Sequence, residues 1–329
     1  MRRRFFVDRF ERESASLRDE AAEHLGRVLR ADPGQLYELS DGQRVWLARV
    51  ERVAVSKRGP SRIDFALVEP IEGSEPSLRI ELLISIVKFD RFEWCLEKAT
   101  ELGVDEIVPL AAARTDKALI TAAAKRHERW KRIILESAQQ SRRLRPPVLH
   151  PALAPDRAFP QSSASLKVFL SERREAKSLK KVLDQESPSV AQALVPALRT
   201  EGPVRSSSAT APETQATPTI SLAVGPEGGW TDDEIATAAA AGFLEASLGE
   251  NILRTETAVI ASLAVLQFAL RHTEFARNPN ALARIQGRDI NKVVSREKCS
   301  TSPIPARRPL LKICPPRSCV RICAAGRAT

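Results

Sequence analysis

The run Leu222-Ala223-Val224-Gly225-Pro226-Glu227-Gly228-Gly229-Trp230-Thr231-Asp232-Asp233-Glu234 passes from an apolar strand into a glycine-rich turn and then into a helix. Thr231 is placed to cap that helix, and Glu234, three residues later, completes a capping box. Gly225, Gly228 and Gly229 let the backbone take positive φ and come close to a flat or charged ligand. No Gly-Lys-Ser/Thr follows, so this is not a nucleotide P-loop, and the spacing is not the G-x-G-x-x-G of a dinucleotide fold. As a bare pattern it is a strand–turn–helix, and such loops often only turn the chain.

Outward from this loop the same alternation repeats. Ile80 to Val87, Val104 to Leu110, Leu166 to Leu170, Thr219 to Val224 and Ala246 to Leu248 have strand composition. Helical periods occupy Arg91 to Leu102, Thr121 to Arg143, Asp232 to Ala241 and Glu256 to Leu270. Gly103 is placed to end the first of these. Strands alternating with helices predict an α/β fold with a mostly parallel sheet covered by helices. The last helix is apolar almost all round, which predicts burial or a subunit contact.

A second irregular stretch, Leu248-Gly249-Glu250-Asn251-Ile252-Leu253-Arg254-Thr255-Glu256-Thr257-Ala258, lies between the last strand and that helix. Thr255 as N-cap, with Glu256 favouring the helix dipole, is one account of it. An arginine directly before an apolar helix is harder to explain as decoration, and favours a functional role for Arg254.

Residues 1–75 read as a small β-rich unit, with strands at Val45 to Val50 and Ile63 to Val68, one helix from Arg18 to Arg30, and turn signals at Asp32-Pro33-Gly34, Asp41-Gly42 and Arg58-Gly59-Pro60. Glu72 to Pro76 is the expected boundary. Residues 187–218, rich in proline, serine, threonine and alanine, are expected to form a disordered insertion, and residues 273–329 a basic, proline-rich, disordered tail.

The chain of 329 residues has room for about two domains. Its formal net charge of +10 is concentrated in the tail. Within the body, residues 125–145 form a basic block that either meets phosphates or is a solvated helix face. Ala258 to Leu270 is too short to span a membrane. The acidic Asp8, Glu11 and Glu13 argue against a secretory or organelle leader, so a cytoplasmic protein is expected. Cys95 stands alone in the body, while Cys299, Cys314, Cys319 and Cys323 lack the close pairing of a zinc site, so no metal is expected.

Four ordered blocks carry a family resemblance. Glu97-Lys98-Ala99-Thr100-Glu101-Leu102-Gly103, Glu136-Ser137-Ala138-Gln139-Gln140-Ser141-Arg142, Gly225-Pro226-Glu227-Gly228-Gly229, and Leu248-Gly249 through Ile252-Leu253-Arg254-Thr255-Glu256-Thr257-Ala258 resemble the signature blocks of RsmE-type methyltransferases. These are bacterial enzymes that methylate N3 of a uridine in 16S ribosomal RNA. The starts Arg2-Arg3-Arg4-Phe5-Phe6-Val7 and His24-Leu25-Gly26-Arg27-Val28-Leu29-Arg30 are also similar, so the likeness covers about residues 1–272. It implies a PUA-like RNA-binding β-barrel over 1–75, then a SPOUT methyltransferase domain over 76–272 with a C-terminal trefoil knot. General fold rules alone argue against a knot. It further implies S-adenosyl-L-methionine as cofactor, the small ribosomal subunit as partner, and a homodimer with no membrane or metal.

By resemblance the cofactor lies among Leu170, Ser171 and Glu172, the loop Gly225, Pro226, Glu227, Gly228 and Gly229, and Leu248, Gly249, Ile252 and Leu253. Methyl transfer depends on holding donor and acceptor in line. Uridine N3–H is a weak acid, so either a guanidinium stabilises its anion or a carboxylate takes the proton. Arg254 and Glu227 are the catalytic candidates, and Arg2, Arg3, Arg91, Arg114 and Arg142 the candidates for RNA phosphates. Asn251 departs from the family pattern, which often has a basic residue there. A non-catalytic RNA-binding assembly factor on the same scaffold, or a SPOUT enzyme acting on another RNA, are the competing expectations.

Overall fold

The computed structural model describes residues 3–56, 59–72, 78–185 and 219–277. Arg2, the 187–218 insertion, the expected boundary at 73–76 and the four tail cysteines lie outside the described residues.

The N-terminal unit contains β1 (Arg4–Phe6), β2 (Ser14–Arg18), α1 (Asp19–Glu23), β3 (Leu36–Ser40), β4 (Val45–Ala54) and β5 (Arg62–Ile71). They form one sheet in the order β1-β3-β4-β5-β2, antiparallel except for the β1–β3 pair. The apolar pattern of β4 changes phase midway: Val45 and Leu47 are buried, then Ala48 and Val50. Side chains alternate along a strand, so Ala48 and Val50 enter the unit's core on one face while Val45 and Leu47 are buried on the other. Phe5, Leu17, Leu25, Leu39, Ile63 and Phe65 fill the core. The helix expected over Arg18 to Arg30 is shorter. It starts at Asp19, which takes φ +49°, continues as a π-helical turn over His24–Val28, and ends before Arg30 at φ +53°. Strands β1, β2 and β3 were not among those read from the sequence; β1, three residues long, is too short to show an alternation.

The remaining elements are β6 (Arg79–Ser85), α2 (Phe89–Glu101), β7 (Glu106–Leu110), α3 (Lys117–Gln140), β8 (Val148–Leu149), α4 (Pro155–Gln161), β9 (Leu166–Leu170), β10 (Lys177–Ser178), a helix α5 over 179–185, β11 (Thr219–Val224), α6 (Asp232–Ala240), β12 (Leu244–Ser247) and α7 (Thr255–Arg277). The seven strands are all parallel, in the order β10-β12-β9-β11-β6-β7-β8. Both faces are covered, which is why these strands read as continuous apolar runs. Ile80, Leu82, Val168, Leu222 and Val224 point to α2, α3 and α7, meeting Phe92, Trp130, Val259 and Leu263. Leu83, Val108, Phe169 and Ala223 point the other way, to Phe159, Trp230 and Phe243.

α3 starts earlier than expected because Asp116 caps it, its Oδ1 accepting from Ala118 N at 2.8 Å. It also stops earlier, before Arg142 adopts φ +55°. α7 runs to Arg277, past the boundary expected at 272, so the tail's first residues continue the helix. The N-terminal sheet is tied to the loop after α3: Arg142 Nη1 lies 3.5 Å from Glu38 Oε1, and Ser40 Oγ donates to Leu144 O at 2.5 Å.

Candidate active site

The carboxyl ends of β9, β11 and β12 lie side by side. β11 is inserted between β6 and β9, and the chain then crosses over β9 to form β12. Open parallel sheets bind ligands at such changes of strand order, outside the strand ends.

The loop after β11 is held by side chains from several other elements. A Cβ on Gly225 would lie 2.8 Å from Trp230 Nε1, so only glycine lets the indole fold back against the main chain. That indole donates to Leu170 O at 2.9 Å and stacks on Phe169, with ring centroids 4.9 Å apart. Gly229 takes φ +71°, and a Cβ there would sit 2.9 Å from Glu172 Oε1. The predicted capping box is present: Glu234 N donates to Thr231 Oγ1 at 3.3 Å, and Thr231 N to Glu234 Oε2 at 2.9 Å. The other carboxylate oxygen of Glu234 accepts from Ala113 N at 2.8 Å, and Arg114 Nη1 donates to Gly228 O at 2.8 Å. The loop between β7 and α3 is thereby stitched to the glycine turn.

The loop after β12 differs. Gly249 has φ +145° and nothing within 4 Å of a hypothetical Cβ. Ile252 is 78% exposed, and Arg254 is exposed. Thr255 is not a free-standing N-cap; it is the first helical residue, and its hydroxyl donates to Gly225 O at 3.1 Å. This bond joins the two loops.

Between them lies a cavity of about 380 Å³, within the usual range for small-molecule sites. Leu170, Ser171, Glu172, Gly225, Pro226, Gly229, Leu248, Gly249, Ile252 and Leu253, which the family resemblance assigns to the cofactor, line it. Glu227 and Gly228 do not: the crest of the turn faces away, and the Glu227 carboxylate pairs with Arg91. Arg254 also lies outside the lining, although its neighbours Leu253 and Thr255 are in it. Arg114, expected on RNA, is part of the cavity wall, together with Arg173, Trp230, Ile235 and Asn251. Trp230 was visible as the residue closing the glycine run; nothing local marked Arg114 or Ile235, which arrive from other turns of the chain.

The other arginine candidates are spread out. Arg3 is exposed before β1. Arg91 pairs with Glu227 and lies 3.8 Å from Glu256, and Arg142 faces Glu38, which Arg4 also grips at 2.9 Å. Much of the basic block is internally paired: Arg126 and Arg129 clasp Glu93, at 3.0 and 2.9 Å, and Arg143 holds Asp105 at 2.9 Å. Arg129 and Arg126 hold the Glu93 carboxyl below the usual carboxylate range against the cost of its burial. A paired helix face therefore accounts for a large part of this block. Among the described residues no group of three or more His, Cys, Asp or Glu is placed to hold a metal ion, and no helix is long and apolar enough to cross a membrane.

Residues 74–267 match the family model of the RNA methyltransferase domain. The ribosomal RNA small subunit methyltransferase E of Synechocystis is 34% identical over 250 residues, covering 75% of this chain and 70% of that protein. Two solved structures superpose with TM-scores of 0.62 and cover 82% of this chain and 98% of theirs. One is ribosomal RNA small subunit methyltransferase E from Neisseria gonorrhoeae bound to S-adenosyl methionine, 28% identical. The other is a putative methyltransferase from Legionella pneumophila in complex with the same cofactor, 29% identical. With an α/β fold, a parallel sheet and a cavity at its strand ends, the chain belongs to the ribosomal RNA small subunit methyltransferase E family of RNA methyltransferases.

Proposed function

We propose that this protein transfers the methyl group of S-adenosyl-L-methionine to N3 of one uridine in the 16S RNA of the small ribosomal subunit. The observation that carries this reading is the meeting of two loops, distant in sequence and joined by the Thr255–Gly225 bond, around one cavity at the strand ends. The donor set fits the cofactor. Leu170 to Glu172, Gly225, Pro226 and Gly229, and Leu248 to Leu253 surround the space, and Leu170, Val224, Leu248 and Leu253 offer apolar surface to a flat nucleoside.

When bound, the cofactor supplies an electrophilic methyl group on a sulfonium. The protein's part is to hold the acceptor in line with it and to exclude water. Arg254, exposed at the mouth beside Leu253, is the candidate for stabilising the N3 anion by charge. Glu227, turned from the cavity and paired with Arg91, is the weaker of the two catalytic candidates. Arg114 supplies positive charge at the cavity rim, and Arg3 and Arg142 supply it on and beside the N-terminal sheet, where a phosphate backbone is expected to run. The N-terminal unit, read as a PUA-like barrel over 1–75, serves as the RNA-holding part, and 76–272 as the SPOUT catalytic part. The insertion of β11 between β6 and β9, followed by the return of α7 beneath the same strands, is compatible with a C-terminal trefoil knot. The exposed Val265 and Phe268 on α7 suit the contact of a homodimer. A substrate in the ribosome places the activity in the cytoplasm.

Mass mapping of 16S RNA, methylated in vitro on intact small subunits and on naked RNA side by side, tests the proposal. A single 3-methyluridine is expected. Folded protein that binds the cofactor and leaves every uridine unmethylated points to a non-catalytic assembly factor, and methylation of a different RNA points to another substrate.

A further inference from the structure

The two loops around the cavity share a second link besides Thr255. Arg91, in the first turn of α2, sends its guanidinium between Glu227, on the crest of the glycine turn, and Glu256, in the first turn of α7. We propose that Arg91 is a positioning residue that clamps the glycine turn to the start of α7 and so fixes the spacing of the cavity's two walls, in place of a contact to RNA phosphate. The inference rests on the proposed function only in taking this cavity as the cofactor's.

Three observations support it. Arg91 is 27% exposed and Glu256 15%, so the pair is partly withdrawn from water, where charge–charge forces are strong. Glu256 Oε2 is buried with no hydrogen-bond partner, and the neighbouring Cys95 thiol is pushed up to about 12, first by burial and then by the Glu256 charge. The other oxygen of the same carboxylate, Oε1, faces Arg91 Nε at 3.8 Å. Two carboxylates around one guanidinium also make this spot net negative, which repels a phosphate. The geometry needs arginine: a planar fork can address two carboxylates at once, whereas the lysine ammonium is a point charge.

Removing the guanidinium leaves Glu227 and Glu256 facing one another as like charges, which drives the walls apart. Neutralising Glu227 in the same chain should then relieve the damage, an outcome that loss of a simple packing contact does not produce. The experiment uses the full-length protein without cofactor and follows hydrogen exchange in segments 225–231 and 255–258. Arg91→Ala is expected to speed exchange in both segments, on the order of tenfold. Arg91→Lys should fall between it and the native chain, and Arg91→Ala with Glu227→Gln should exchange more slowly than Arg91→Ala alone. Glu227→Gln by itself, a change at an exposed residue that keeps the fold, should loosen 225–231 by a smaller factor. The salt dependence of binding to a 16S RNA fragment should be the same for Arg91→Ala as for the native protein. Unchanged exchange in Arg91→Ala or Glu227→Gln, no relief in the double variant, or a salt slope shallower by about one would each overturn the clamp. Calorimetry of S-adenosyl-L-methionine on the native chain is read separately: absence of binding removes the proposed function while the exchange data still judge the clamp.

Discussion

The two loops that bound the cavity are built in opposite ways. The turn over 225–230 is enclosed: Trp230 folds onto Gly225, Glu172 closes on Gly229, Arg114 holds Gly228 O, and Thr231 and Glu234 lock the helix that follows. The loop over 248–254 is open, with empty space around Gly249, an exposed Ile252 and an exposed Arg254. One wall is finished by folding, whereas the other has apolar side chains still facing water. A site of this kind has a rigid side that recognises shape and a side that gains its contacts only when a ligand is present. Glycine serves both, for different reasons: close packing at Gly225, and at Gly249 a backbone angle that other residues rarely adopt.

The contrast can be broken at several depths. Trp230→Ala should have the largest effect, removing the stack on Phe169 and the bond to Leu170 O, and costing about 3–5 kcal/mol of stability by chemical denaturation. A cost below about 1 kcal/mol, the scale of a surface change, would show that the enclosed wall is not structural. Gly225→Ala forces the indole outward and should cost about 1–3 kcal/mol. Gly249→Ala meets no neighbour, so its cost is limited to backbone strain of about 1 kcal/mol. Its larger consequence should be weaker cofactor binding by calorimetry; equal stability losses at the two glycines would erase the distinction between the walls. Thr231→Ala removes the cap of α6 and should cost about 1 kcal/mol. Arg254→Ala, at an exposed position of the open loop, should change stability by less than about 0.5 kcal/mol and lower the methylation rate at saturating cofactor. A normal rate would remove Arg254 from the reacting centre.

What could be read from the chain follows the same division. The enclosed wall announces itself locally: the glycine run, the capping pair Thr231 and Glu234, and the apolar strand Leu222 to Val224 are neighbours in sequence, and the structure places them as expected. Residues of β9 and of the second loop that the family resemblance assigned to the cofactor line the cavity. The orientation of Glu227 was not legible, because the direction of a loop crest depends on what reaches it from elsewhere, here Arg91 on α2. The place of Arg114 at the cavity was not legible for the same reason: one arginine after β7 carries no local sign that it will meet Gly228 O. The charge of the 125–145 block was visible, but its pairing with Glu93 and Asp105 was not, since those partners lie on other elements. Short strands such as β1 and β8 escape any periodicity, because two or three residues cannot display one.

The claim on which the account stands is that both loops grip the same nucleoside. Photo-crosslinking with an S-adenosyl-L-methionine analogue carrying an azide on its adenine, followed by peptide mapping, tests it directly. The account predicts labelled peptides from 248–253 together with 170–173 or 225–230, all displaced by unlabelled cofactor. Displaceable label confined to the opposite end of the sheet, around Arg79 and His150, would contradict it.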